Sequence, residues 1–401
     1  MRKNSSSLII KTLNSNLEKA RHLNPVDAFN EDVMDFFSRL SLKILSSPES
    51  KEYPDLASFG FFCRKRNLEK LKNDYHQEKN ILVGRGLVLH FTPSNVPLNF
   101  AYSLVAASLA GNHSIIRLSS TSFVQADVFI RLLNENFNDQ ENKVPKESIN
   151  IVRYEKNNDI TAEITSWADV RVIWGSDTTI DKLRESQLPA RSYDITFANR
   201  FSFCVVDAEY YCNLDLDQRF ASDFYNDTLF YDQNACTSPR LIYWLGKQEF
   251  IEKAKNRFWK AYSREIERRG YLNRGNLSID KLMTAFKAAN LLDAKIHELG
   301  GEITRISLKS IPEMISDYSV PGGLFLEVHS EDLEMLKRYS SKKLQTVTYI
   351  AENNSLIRTG LDNLKTFGIE RVVKNGQASN FELVWDGYDL ITAMSKSVVL
   401  R

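Results

Sequence analysis

The sequence predicts an α/β protein with two doubly wound domains, each built on a mostly parallel sheet, behind an N-terminal helical region. Three observations predict it. From residue 81 onward short apolar runs alternate with helical ones, as in LVLHF, then a helix, then SIIRL, and a strand–helix–strand unit of that length closes a parallel pair. The alternation resumes after residue 200 with PRLIYWL, GGEITRI, GGLFLEV and QTVTYIA, and a chain of 401 residues that is 43% hydrophobic can fill two cores. Residues 1–80 instead carry apolar side chains at helical spacing.

Within 1–80, NPVDAFNEDVMDFFSRLSLKIL sets Val33, Phe36, Phe37, Leu40 and Ile44 on one helical face. PDLASFGFFCRKRNLEKLKNDY reads as a second helix with Pro54 near its start. The first α/β domain is expected over 81–206. Its strand LVLHF runs into the loop TPSNVP; Pro97 suits the first turn of the next helix and Gly111-Asn112 its end. SIIRL follows, then the helix SFVQADVFIRLLNENF, the strand INIVRY, the strand RVIW with a helix behind GSD, and the strand FSFCVVD. The second domain is expected over 207–375. The ending, 376–401, is mixed in texture and is expected either to return to the first domain or to reach a partner subunit. Doubly wound sheets take ligands at the carboxyl ends of their strands, so the loops there are where chemistry is expected.

Composition narrows the function classes. The 52 basic and 51 acidic residues nearly cancel and form no long one-sign block, which argues against nucleic acid or an anionic membrane as the main partner and for a small-molecule substrate. NSSSLIIKT is too short for the apolar region of a signal peptide. The longest charge-free segment, residues 86–116, is broken by Pro, Asn, Ser and His and holds no apolar run near the ~20 residues of a membrane span. A soluble, cytoplasmic protein is expected. Four cysteines with no C-x-x-C pair fit reduced thiols, and six scattered histidines show no metal-ligand spacing.

YDQNACTSPR, residues 231–240, sets Cys236 in a polar, turn-rich stretch ahead of LIYWL. A thiol of ordinary pKa, ~8.5, is a modest nucleophile at neutral pH unless a helix N-terminus or a cation lowers it. Gln233, Asn234, Thr237 and Ser238 offer dipoles and hydrogen bonds beside it, but no fixed cation. Cys63, Cys204 and Cys212 read as small core residues, whereas Asp232, Gln233 and Asn234 do not belong on a core face. The residues alone leave Cys236 evenly divided between nucleophile and packing residue.

Asn95 lies in the strand-to-helix loop after LVLHF, where an Asx turn or a helix cap would account for it without any chemistry. Arg117, with Ser119 and Ser120, ends SIIRLSS. A carboxylate at that place would suit the ribose of NAD, whereas an arginine suits the 2′-phosphate of NADP; a solvated surface arginine would read the same. Gly175-Ser176 joins RVIW to a helix, where backbone N–H groups can face an anion such as a pyrophosphate, or simply make a turn. Gly84–Gly86 precedes a strand and is not a dinucleotide fingerprint.

Taken together, GLVLHFTPSNVPLNFAYSLVAASLAGNHSIIRLSS, VIWGSDTTIDKLR, DQNACTSPRLIYW and GIERVVKNGQASNFELVWDGYDLI follow one another as they do in acyl-CoA reductases related to the fatty acid reductase subunit of bacterial luminescence. From about residue 80 to the end the chain resembles that family, which belongs to the aldehyde dehydrogenase superfamily. The resemblance implies an aldehyde dehydrogenase-like fold with a cofactor-binding and a catalytic domain, Cys236 as the nucleophile and Asn95 as an oxyanion donor. It implies a nicotinamide cofactor held by Thr92, Pro93, Ser94, Arg117, Ser119 and the Gly175-Ser176 turn. An acyl-protein synthetase partner and a homo-oligomer are implied likewise.

The chain departs from hydrolytic aldehyde dehydrogenases in two places. Where those carry a Glu-bearing segment whose carboxylate activates water, this chain reads DITFANR. Their second Glu, which holds the nicotinamide ribose, would fall in SDYSVPGGLFLEV, and the role is not carried onto Glu327. Without a hydrolytic base an enzyme thioester survives until hydride arrives. The expected activity is therefore reduction of an acyl-CoA or other activated, fatty acyl group to an aldehyde through a Cys236 thioester, with NADPH as reductant and NADH as the alternative. An NAD(P)-dependent aldehyde dehydrogenase, CoA-acylating or oxidising, is the second reading, and a non-catalytic cofactor-binding subunit the third.

Overall fold

The structure, a computed structural model, describes residues 9–12, 17–75, 81–273, 275–298, 301–338, 342–364 and 368–399. The chain divides into two compact units, 1–198 with 381–401 and 199–380.

In the first unit, helix α1 (Glu31–Ser46) starts where the Asn30 side chain accepts from the Asp32 and Val33 amides, and it buries Phe36, Phe37, Leu40 and Ile44. After the single turn α2 (Glu49–Glu52), the second expected helix is two: α3 (Pro54–Phe62) and α4 (Lys65–Tyr75). The Asn67 amide donates to the Phe62 carbonyl, which ends α3 and lets α4 restart with Leu68 turned to the core.

The sheet of this unit contains β1 (Ile9–Ile10), β3 (Leu87–Phe91), β4 (His113–Arg117), β5 (Ile149–Arg153), β6 (Val170–Trp174) and β7 (Tyr193–Phe197), in the order β1-β5-β4-β3-β6-β7; β2 (Ile81–Gly84) lies outside it. All neighbours are parallel except the edge strand β1. The crossovers are α5 (Asn99–Leu109), α6 (Val124–Phe137), α7 (Asn158–Thr165) and α8 (Asp177–Arg184). Alternate side chains feed two cores: Val88, Ile116 and Ile151 pack with α1, α3, α5 and α6, and Leu89, Ile115 and Val152 with Ile160 of α7 and Ile180 of α8. Helix α5 starts two residues later than Pro97 promised, and Gly111 closes the turn behind it at φ +88°, where a Cβ would come within 2.0 Å of the Val26 carbonyl oxygen.

The second unit begins one strand earlier than expected. β8 (Phe201–Asp207), placed by its sequence at the end of the first domain, lies between β9 (Pro239–Leu245) and β13 (Leu344–Ile350) in a seven-stranded sheet. That sheet continues with β10 (Ala294–Glu298), β11 (Thr304–Leu308), β12 (Leu324–Ser330), β13 (Leu344–Ile350) and β14 (Arg371–Lys374), in the order β10-β11-β12-β9-β8-β13-β14. The change of sheet follows two exposed or half-buried positions, Asn199 and Arg200, after which seven residues of β8 bury six side chains. Helices α9 (Ala208–Cys212), α10 (Asp217–Asp227) and α11 (Gln248–Arg269) cover one face with Tyr211, Phe224, Phe258 and Tyr262; α12 (Gly275–Leu291), α13 (Glu334–Arg338) and α14 (Ser355–Leu364) contribute to the other core through Ala285, Leu336 and Ile357.

The chain then returns to the first unit. A hairpin of β15 (Val384–Trp385) and β16 (Tyr388–Asp389) leads to α15 (Leu390–Met394), and β17 (Ser395–Val398) pairs antiparallel with β2. The Asn112 amide donates to the Met394 carbonyl while its oxygen accepts from Arg85 and Gly86, which ties this return to the turn behind α5. Among the described residues no helix is long and apolar enough to cross a membrane.

Candidate active site

The loop before β9 is built around a buried glutamine. Asp232 and Gln233 both have left-handed backbone, φ +52° and +60°, without being glycine. The fully buried Gln233 side chain donates to the carbonyls of Pro239 (3.0 Å) and Leu324 (3.2 Å) and accepts from the Gly323 amide (3.0 Å). The Gly322 amide donates to the Asp232 carbonyl at 2.9 Å. At the other end of the loop the Ser202 hydroxyl of β8 donates to the Cys236 carbonyl at 2.7 Å and accepts from the Thr346 amide of β13. Left-handed backbone at two bulky residues costs of order 1–3 kcal/mol each, and this lattice of bonds holds it.

Cys236 is the one cysteine of the four that is not buried, and none of them is in a disulfide. Burial pushes the Cys63 thiol well above its ordinary value, the Cys204 thiol up to about 12 and the Cys212 thiol up, which leaves those three poor nucleophiles. A cation stands by Cys236 after all. Arg240, the second residue of β9, is half-buried and donates from Nη2 to the Gln233 carbonyl at 3.0 Å. Burial lowers its pKa, and the neighbouring Cys236 thiolate opposes that shift, an attraction between the two charges. Sequence reasoning missed it because an arginine four residues away on a strand gives no sign that its guanidinium turns back over the loop.

In the first unit the expected cofactor residues lie at the carboxyl ends of β3, β4 and β6. Thr92 donates from its amide and its hydroxyl to the Arg117 carbonyl, binding the crest of β3 to that of β4. Thr92, Pro93 and Ser119 line one small cleft, joined there by Thr121, Phe123 and Arg153, which sequence reading did not single out. Ser94 and Asn95 are exposed in the loop beyond. Neither caps α5, whose N-cap is Leu98 with no side-chain bond, so helix capping does not account for Asn95. Gly175 leads from β6 into Ser176, whose hydroxyl accepts from the Thr179 amide at 3.2 Å and caps α8. The Gly175-Ser176 turn thus has a structural task, and Asp177 adds an acidic side chain to the same first turn.

Arg117 is neither a solvated surface residue nor turned into that cleft. It is half-buried, donates from Nη2 to the Tyr154 carbonyl at 3.2 Å, and stacks over the Tyr154 ring at 5.3 Å. Its cross-strand partner is Val152, whose side chain belongs to the α7–α8 face, so the register of β4 and β5 sends Arg117 there.

Two carboxylates can be placed. DITFANR begins on β7, and Asp194 is held by Arg171, which is 2% exposed, at 2.7 and 3.1 Å, and by Arg184 at 3.1 Å. Glu327 is fully buried, accepting from the Trp244 indole at 2.8 Å and Arg305 at 2.9 Å with Lys255 at 3.8 Å. Both carboxylates are held in ion pairs. Among the described residues no cluster of three or more His, Cys, Asp or Glu could hold a metal ion.

This architecture is similar to that of solved aldehyde dehydrogenases. Lactaldehyde dehydrogenase from Escherichia coli superposes with a TM-score of 0.67 at 12% identity, over 96% of this chain and 88% of its own. Aldehyde dehydrogenase 21 from Physcomitrella patens gives 0.68 at 13% identity, over 96% and 88%. At such identities the likeness shows the fold, which is aldehyde dehydrogenase-like. In sequence the chain is 32% identical over 167 residues to the long-chain acyl-protein thioester reductase of Photorhabdus laumondii, covering 41% of this chain and 33% of that protein. It is 24% identical over 314 residues to the protein of the same name in Aliivibrio fischeri, covering 75% and 60%. The chain thus spans less than two thirds of the length of these relatives. The profile of the family described as acyl-CoA reductase (LuxC) matches residues 64–397, most of the described fold, and the chain belongs to that family.

Proposed function

We propose that the protein reduces a long-chain acyl thioester to the aldehyde with NADPH, through a thioester on Cys236. The observation that carries the reading is the Cys236 loop: one thiol kept from burial, beside the half-buried Arg240 cation, on a backbone held by Gln233 and Ser202. The relatives' name, long-chain acyl-protein thioester reductase, supports a fatty acyl substrate on a protein donor, and the family description supports acyl-CoA.

The Cys236 thiolate attacks the carbonyl carbon of the donor thioester, the donor's carbon–sulfur bond breaks, and the departing thiolate takes a proton. The Asn95 amide and the Cys236 backbone N–H are the proposed donors to the oxyanion; losing one such donor typically costs ~10²–10³ in rate. A reduced nicotinamide, held by Thr92, Pro93, Ser94, Ser119 and the Gly175-Ser176 turn, would supply the hydride that the acyl carbon accepts. The resulting hemithioacetal alkoxide collapses, expelling the Cys236 thiolate and the aldehyde. With Asp194 and Glu327 both ion-paired, neither supplies a base for hydrolysis.

The cleft at the crest of β3, β4 and β5 fits a dinucleotide in its chemistry: hydroxyls of Thr92, Ser119 and Thr121 beside an arginine. Thr92, Pro93, Ser94, Ser119, Gly175 and Ser176 are the proposed cofactor residues, while Arg117, expected among them, is engaged with Tyr154 on the other face of the sheet. Residues 1–198 with 381–401 are the proposed cofactor domain and 199–380 the proposed catalytic domain. A cytoplasmic homo-oligomer served by an acyl-protein synthetase completes the proposal.

Mass spectrometry after mixing with a panel of acyl-CoAs and no reductant tests it. A mass gain on the Cys236 peptide, lost in Cys236→Ala together with acyl-CoA-dependent NADPH oxidation, is expected. Unchanged NADPH oxidation in Cys236→Ala would rule the Cys236 thioester out, and a wild type with neither mass gain nor NADPH oxidation would favour the non-catalytic reading.

A further inference from the structure

The proposed preference for NADPH needs a cation for the 2′-phosphate, and Arg117, the residue in the expected place, is turned to the other face of the sheet and engaged with Tyr154. The next strand supplies another. Arg153 is the last residue of β5, one beyond the cross-strand partner of Arg117, so alternation sends its side chain to the α5–α6 face. There it lines the cleft with Thr92, Ser119, Thr121, Phe123 and Ala126. Its Nε is buried with no hydrogen-bond partner, so the desolvation of that donor is uncompensated. No described carboxylate pairs with Arg153 or Arg117, and the positive charge of Arg153 is close enough to lower the pKa of Arg117, behind the larger effect of burial. Helix α6 begins at the same cleft with Phe123 as its N-cap, a side chain that cannot satisfy the first amides, so the positive end of the helix adds to that of the guanidinium.

We propose that Arg153, with the Ser119 and Thr121 hydroxyls and the start of α6, binds the 2′-phosphate of the dinucleotide, and that Arg117 instead fixes the Tyr154 backbone beside it. A phosphate monoester suits the site because its oxygens can accept from the Arg153 guanidinium, from two hydroxyls and from helix amides together. This rests on the reading that the chain binds a nicotinamide dinucleotide.

The test is calorimetric binding of 2′,5′-ADP and of 5′-ADP to the full chain, which needs neither substrate nor turnover. The wild type should bind 2′,5′-ADP at least tenfold more tightly than 5′-ADP. Arg153→Leu should weaken 2′,5′-ADP more than tenfold and leave 5′-ADP within about twofold, and Arg153→Lys should recover part of the difference, with thermal melting checking that each variant is folded. If Arg153→Leu binds 2′,5′-ADP as the wild type does while Arg117→Leu loses it, the assignment of Arg153 is wrong. A wild type that binds both nucleotides equally overturns the 2′-phosphate site alone, and one that binds neither overturns it together with the dinucleotide reading.

Discussion

Replacing Gln233 by alanine should loosen the Cys236 loop without touching the thiol. Three hydrogen bonds vanish, two to carbonyls of Pro239 and Leu324 and one from the Gly323 amide. At about 1 kcal/mol for each buried bond the loss is ~3 kcal/mol, and the three backbone groups left without partners push it higher. The residue at 233 must still hold φ +60°, so the substitution returns none of the backbone strain. A loss of ~3 kcal/mol raises the population of opened loop by about two orders of magnitude, and hydrogen exchange at Gly323, the amide that donates to Gln233, reports it directly. Peptides covering Gly323–Leu324 and Pro239–Leu241 should exchange about a hundredfold faster, while those of β4 and β5 in the other unit stay unchanged. Exchange at Gly323 within about threefold of the wild type would refute the claim that Gln233 holds the loop.

Arg240→Met should slow alkylation of Cys236 by iodoacetamide about tenfold at pH 7, since a nearby cation at an effective dielectric near 20 contributes of order 1–3 kcal/mol to a thiolate. Arg240→Lys should keep most of the rate, and equal rates in all three proteins at pH 7 would remove the cation from the account. Acid should open the first unit before the second. Burial holds His90 down at about 3 and His113 at about 4, so the stability they contribute is complete above pH 6.5 and is lost as pH falls through the range down to those values. Burial raises Asp227 to about 7, so its contribution runs the other way, complete at low pH and lost as pH rises from about 4 to 7. Exchange protection followed from pH 7 to 5 should therefore fail at β3 and β4 while β8 and β9 hold; the reverse order would contradict the assignment. Gly111→Ala should lower the thermal midpoint by several degrees, because its Cβ would lie 2.0 Å from the Val26 carbonyl oxygen at φ +88°. An unchanged midpoint would show that the turn relaxes freely.

Much of the architecture was legible because parallel strands buried on both faces read as unbroken apolar runs. LVLHF, SIIRL, INIVR and VRVIW each bury at least four of five side chains. YDITF and AKIHE, which escaped notice, lie at sheet edges, half exposed and polar, so burial prints no apolar run on them. The polarity of the Cys236 stretch was visible too, but the directions of arginines were not. Arg240 folds back on the Gln233 carbonyl, Arg117 goes to one face and Arg153 to the other, and each direction depends on strand register or loop closure. The second unit's start was misplaced by one strand for the same reason, since FSFCVVD looks alike whichever sheet it joins.

The return of residues 381–399 to the first unit sets an order of events during synthesis. Ribosomes add about 5–20 residues per second, so the β2 edge waits on the order of half a minute for β17, which begins 311 residues after β2 ends. Residues 199–380 are made entirely within that interval and can finish folding first. Until then β2, bonded on one side to residues 26–28, stays open on the other, which makes Ile81–Gly84 the segment a chaperone would have to shield.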